Sequence, residues 1–343
     1  MIRISDIIKM SNASPQAKRE TKPIIKETEK AEIPNAIKAS ESSKAESLSL
    51  YTKGISLLAQ TFHKAKNEED ITTAPILEFS KNLVEEALAD DGDYLLKLYE
   101  GHYEKEYLPY HSVNVGFLAV EIGIWSGFNK SELMELSISG LLHDIGMAKI
   151  ENMVYKDSKL RNNERNLVKQ HPESSMQILK KLGCLSQDGL NAVRSHHFKG
   201  SRDKFAEILS LADIYEAITH VRPYKQAKTA HQAIAEIIDK EALNFQPSIL
   251  KVFVNNIGIY PAGSWIKLST GEVGLVTGVN KGYPLRPKVS IIFNHSGERN
   301  KKVKFLDFMS ETYFYIEGPL DIDELEKLKS KWEERNEHLQ ALN

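Results

Sequence analysis

Five histidines and two aspartates near the middle of this chain fall at one recurrent kind of place, on or beside the apolar stripe of a predicted helix. Leu108, His111, Val115, Leu118 and Ile122 step by three and four, which turns His111 toward a core. Leu133, Leu136 and Gly140 lead in the same way to His143, with Asp144 next and Gly146 ending that helix. His171 closes the following helix immediately before Pro172. Leu190 and Val193 lead to the adjacent pair His196 and His197, and Phe205 and Leu209 lead to Asp213, with Glu216 one turn on. Inward-facing imidazoles and carboxylates from several helices can meet at one point of a bundle.

Buried imidazoles and carboxylates are costly alone, and a metal ion satisfies several of them at once. One histidine on an apolar stripe is more often a hydrogen-bonded core residue. The pairs His143–Asp144 and His196–His197 are harder to explain that way, because neighbouring helical residues point about 100° apart. Imidazoles mixed with carboxylates suit Fe, Mn or Zn better than Mg or Ca. Asp144, beside His143, has the reach to bridge two ions, and a two-ion centre clamps a phosphate and activates water for in-line attack. The expected site is binuclear, built from His111, His143, Asp144, His171, His196, His197 and Asp213, with Asp144 central to catalysis.

The elements that must position these groups follow from composition and periodicity. With 343 residues, 41% hydrophobic and 27% charged, the chain has room for a main domain and smaller parts. A net charge of -2 argues against a general nucleic-acid surface, and the single cysteine, Cys184, excludes an internal disulfide framework and suits a reducing, cytoplasmic setting. No apolar run approaches the ~18 residues that span a bilayer, and the first fifty residues lack a signal-peptide core.

Residues 1–47, dominated by Lys, Glu, Ser and Ala, are expected to be a disordered leader. Residues 48–101 carry two helices packed on the core, and 102–256 form the helical domain that holds the ligands. In 257–318 the pattern changes to short alternating stretches with turn pairs such as Thr270-Gly271, which predicts a small β module. Residues 319–343 read as a charged helix. The fold class is thus mainly α, a helical bundle with preceding helices, followed by a small C-terminal β module and a terminal helix.

The order of motifs YHSVNV, LLHDIG, QHPESS, SHHF and LADIYEAIT, then RPYK, resembles the HD-GYP family of HD metal-dependent phosphohydrolases over about Tyr107 to Asn256. The resemblance implies an HD-type bundle and hydrolysis of cyclic di-GMP to pGpG or GMP, with the same seven residues as metal ligands. Three-metal members have a glutamate where Tyr107 stands, and Glu106 lies on another helical face, so two divalent ions, Fe or Mn, are implied. Arg222 and Lys225 of RPYK would contact phosphates, with Glu216 in the same substrate-binding set.

Departures from the pattern are specific. Met147 replaces the lysine that follows HDIG, with Lys149 two residues on, and Phe198 replaces a glutamate after the paired histidines. Only the fifteen residues Phe198 to Ala212 join those histidines to Asp213, keeping Gly200 but holding no tyrosine and no proline. A literal Gly282-Tyr283-Pro284 occurs far away in the β region, where turn composition explains it. Two alternatives to the phosphodiesterase follow: a receptor or scaffold that binds a cyclic dinucleotide without turnover, and a phosphohydrolase acting on another nucleotide. The leader and the terminal helix are the expected contacts for protein partners or a second copy of the chain.

Overall fold

The structure, a computed structural model, describes residues 35–89, 107–153, 156, 160–198, 200, 203–220, 228–311, 313–321 and 323–331, with side chains from 50 onward, Lys301 excepted. Helices come first: α1 (Asn35–Lys66), α2 (Ala74–Ala89), α3 (Tyr107–Trp125), α4 (Lys130–Leu142), a 3-10 segment (Ile145–Met153), α5 (Asn162–Lys169), α6 (His171–Leu182), α7 (Gln187–Ser195), α8 (Lys204–Thr219), α9 (Ala230–Glu236) and α10 (Pro247–Ile257). Strands β1 (Trp265–Leu268), β2 (Val273–Gly278), β3 (Lys288–Phe293), β4 (Arg299–Asp307) and β5 (Ile316–Pro319) follow, then α11 over 323–331.

The centre of the bundle is α3, apolar nearly all round and buried from Tyr107 to Gly123 save for Tyr110. Helices α1, α2, α4, α8 and α10 all pack against it. Its tightest neighbour is α4, which Asn129 and Glu132 start with a reciprocal capping box. There the backbones meet: a Cβ on Gly140 would lie 2.6 Å from the Gly116 Cα. Two glycines facing each other therefore fix how close the His111 helix comes to the His143 helix.

Three expectations are corrected. The helix α1 runs continuously from Asn35, inside the stretch expected to be disordered to residue 47; its Ala, Lys and Glu residues are good helix formers. The rest of the expected leader, 1–34, lies outside the described residues, as does the terminal helix beyond 331. His171 does not close a helix but opens α6, because Pro172 at the first turn lacks an N–H that the helix would leave unpaired anyway. His196 and His197 lie just past α7, at its C-cap and the following turn, rather than on the helix itself.

The β module is one antiparallel sheet in the order β4-β3-β2-β1-β5. Ile266, Leu268, Val276, Val289 and Ile291 form its own core, and Tyr260 packs against both that core and the helical one. The literal Gly-Tyr-Pro sits in the β2–β3 turn, with Gly282 at a φ of 82°. Its Gly282 N–H donates to Asn255 O at 3.1 Å, and Ile259 N–H donates to Pro284 O at 2.8 Å. It ties the module to the end of α10.

Candidate metal centre

The structure brings together all seven residues expected as ligands. His111 comes from α3, His143 and Asp144 from the end of α4, His171 from the start of α6, His196 and His197 from the end of α7, and Asp213 from the middle of α8. Each candidate ligand apart from His111 and Asp213 therefore sits at or just past a helix end. There the chain can turn its side chain inward without breaking the packed stripe.

Two groups offer atoms close enough to share an ion: His171, His196 and His197, and His111, His143 and Asp144. Asp144 lies between them. Its Oδ1 is 2.9 Å from His171 Nε2, while its Oδ2 is 3.6 Å from the Nε2 of both His111 and His143. Asp213 faces the same space, with Oδ1 3.3 Å from His111 Nε2 and Oδ2 3.7 Å from His197 Nδ1.

The backbone sets the direction of three imidazoles. The Nδ1–H of His143 donates to Gly140 O at 2.8 Å, that of His171 to Val168 O at 2.6 Å, and that of His196 to Val193 O at 2.6 Å. Each bond reaches back three residues, and each leaves the Nε2 pointing into the cluster. His111 is oriented differently, by Glu216 Oε2 at 2.5 Å from its Nδ1.

Whether these groups fit a metal can be judged from atoms that lack partners. His196 Nε2 is buried without a hydrogen bond, and Asp144 Oδ1 and His171 Nε2 face each other at 2.9 Å with no further partner. Burial, reinforced by the neighbouring His197 and His143, holds His196 well below its ordinary pKa, so it stays neutral and its Nε2 is a bare lone pair. His143 is lowered in the same direction, mainly by burial. Burial alone would raise Asp144, but His143 and His171 overcome it and hold the carboxyl well below the usual carboxylate range. Asp213 is lowered as well, with His111 and His197 outweighing its burial. A carboxylate kept charged beside inward lone pairs is the donor set a divalent cation satisfies, and the residues fit one.

The expected substrate-binding set does not survive intact. Glu216 is wholly buried beneath His111, accepting a hydrogen bond from the imidazole Nδ1–H on Oε2 and one from Asn114 Nδ2–H on Oε1 at 3.2 Å. It orients the His111 imidazole and does not line the cavity beside the cluster. Residues 213 and 216 share one side of α8, but one reaches the cluster and the other reaches under it. Arg222 and Lys225 lie outside the described residues. Asn114, missed from the sequence, had a signal, since it stands one turn after His111 on the same helix.

Around the cluster, a cavity of about 410 Å³ is lined by Tyr107, His111, Asp144, Met147, His197 and Asp213 among others. Tyr107, in place of a carboxylate, stacks on the His111 ring at 5.2 Å and 15°. Met147 is buried in the wall, while Lys149 points away and pairs with Glu68. On the other side of His197 a shallower cavity of about 770 Å³ is lined by Lys169, Asn191, Arg194 and Phe198, the last 72% exposed. The literal Gly-Tyr-Pro lines neither.

Comparison with known proteins bears on this geometry. A model described as HD domain matches residues 109–218, and a second, described as KOW domain associated with HD domain, matches 265–328. A cyclic di-GMP phosphodiesterase of Pseudomonas aeruginosa is 28% identical over 71% of this chain and 62% of its own length. One from Thermotoga maritima is 23% identical over 57% of this chain and 58% of its own. Over residues 109–218 the chain is similar to the HD domain family, and these relatives are cyclic di-GMP phosphodiesterases. The match spans about six-tenths of each of these curated relatives. A solved structure of an HDG"Y"P protein from Bdellovibrio bacteriovorus is similar with a TM-score of 0.49 at 14% identity, covering 59% of this chain and 68% of that one. Among the described residues no helix is long and apolar enough to cross a membrane.

Proposed function

We propose that this chain is a metal-dependent phosphodiesterase of the HD-GYP type that hydrolyses cyclic di-GMP to pGpG or GMP. The observation that carries the reading is the convergence of three imidazole Nε2 atoms, aimed by backbone bonds, on the charged Asp144. Its two donor groups, with Asp144 reaching both, support two ions, and imidazole with carboxylate favours Fe or Mn. Bound there, such ions supply Lewis acidity toward a phosphate oxygen and toward water.

The chain's own residues do the rest. His111, His143, Asp144, His171, His196, His197 and Asp213 hold the centre, and Glu216 keeps His111 turned toward it. Arg222 and Lys225 are proposed to hold phosphates. The two cavities that meet at His197 leave room for a phosphodiester at the cluster and a base beyond it, over Lys169 and Phe198. A cytoplasmic setting, consistent with the free thiol of Cys184, and partners or a second copy at the chain's ends belong to the same proposal.

A binding-only receptor is the second reading, favoured by Met147 buried where a phosphate-holding lysine is expected. Purified protein loaded with Fe or Mn under reducing conditions, incubated with cyclic di-GMP and with other linear and cyclic dinucleotides, decides among them. Release of pGpG or GMP, lost at least a thousandfold in Asp144→Ala, is the expected result. Intact cyclic di-GMP bound tightly establishes the receptor, and cleavage of another nucleotide alone reassigns the substrate.

A further inference from the structure

The HD match begins at residue 109, yet a side chain well before it reaches toward the metal cluster. Tyr51 lies on α1 and is buried against α3, its ring edge-on to Phe117 at 5.7 Å. Its hydroxyl donates to Asn114 Oδ1 at 2.8 Å, across 63 residues of sequence. Asn114 Nδ2 in turn donates to Glu216 Oε1 at 3.2 Å, and Glu216 Oε2 takes the Nδ1–H of His111.

The chemistry of these groups fixes the direction of the chain. A carboxylate only accepts, so the amide must present its NH₂ to Glu216. That leaves the amide oxygen toward Tyr51, which must therefore donate. Burial, reinforced by the Glu216 charge, holds the phenol well above its ordinary pKa, so the donor proton is retained. If the phenol were removed, the buried amide oxygen would lose this donor, and the hold on the orientation of Asn114 would weaken.

We propose that Tyr51 is a positioning residue of the metal centre, acting through Asn114 and Glu216 to hold His111 with its Nε2 toward the cluster. The helix α1 thereby completes from outside the HD domain a site whose ligands all lie inside it. The proposal rests on reading the cluster as a metal site. Outer partners of a ligating imidazole are worth 10–100-fold in metal affinity, and a residue two bonds further out falls at the lower end of that range.

The test is a metal-affinity measurement on the full chain, wild type against Tyr51→Phe, by competition of Mn²⁺ or Zn²⁺ with a chromophoric chelator. Phenylalanine keeps the edge-on contact with Phe117 and removes only the donor. Affinity should fall about tenfold, and Asn114→Ala should cost less in the Tyr51→Phe background than in the wild type, because the two act in series. The melting temperature of the metal-free protein, measured alongside, should change too little to account for the loss. Unchanged affinity in Tyr51→Phe, or an affinity loss matched by an equal loss of metal-free stability, overturns the proposal alone. A wild-type chain that takes up no metal overturns the metal reading and the proposal with it.

Discussion

The two ends of the cluster are built differently. At one end His111 is buried, stacked under Tyr107, and tied through Glu216 and Asn114 to two further helices. Burial opposes its charge, but Glu216 and Asp213 overcome that and raise it to about 10. At the other end His197 sits on a turn with half its side chain in solvent, between Asp213 and the exposed Phe198. The closed end is preorganised by the fold, and the open end is accessible to solvent and carries departures from the HD-GYP pattern that the sequence resembles. Preorganisation and access are thus assigned to opposite sides of one small site, which a single uniformly buried pocket could not provide.

That contrast can be broken most severely at the ligands. His111→Ala should lower metal content after dialysis more than a hundredfold, because Asp213 and Glu216 lose a buried partner, while His197→Ala should cost roughly tenfold. Equal losses, read by elemental analysis, would erase the distinction between the ends. On the closed side, Gly140→Ala places a Cβ against the Gly116 backbone and should destabilise the fold by about 3 kcal/mol in urea unfolding, the upper end for overpacking. A neutral result would show that the α3–α4 approach is not fixed by its glycines. On the open side, Phe198→Ala should raise KM for a dinucleotide roughly tenfold through a lost stacking surface, with Phe198→Trp restoring it.

The sequence made the ligands legible because helical periodicity places a histidine on the apolar stripe regardless of what lies across the bundle. His111, His143 and Asp213 follow that rule directly. Helix ends were less legible. Pro172 could stop one helix or start the next, and only packing decided that it starts α6. The role of Glu216 was misjudged, since periodicity shows that it faces inward but not what it meets there. Tyr51 was invisible for a different reason. Its partner lies 63 residues away, and nothing local distinguishes it from any other aromatic on an amphipathic helix. The β module was read from alternation and turn glycines, which are local signals, whereas its docking through the Gly282 turn is a long-range one.

One strand of that module has a consequence for the protein's solution behaviour. Among the described residues β4 pairs only with β3 and so forms an outer edge of the sheet, where unpaired backbone groups invite another chain to add a strand. Its sequence is RNKKVKFLD, and the described side chains of Arg299, Lys302 and Lys304 are all exposed. A strand arriving from a second molecule would have to crowd its own side chains against this row of positive charge. Val303 and Phe305 are exposed on the same strand, so these charges are what opposes open-ended sheet extension at this edge.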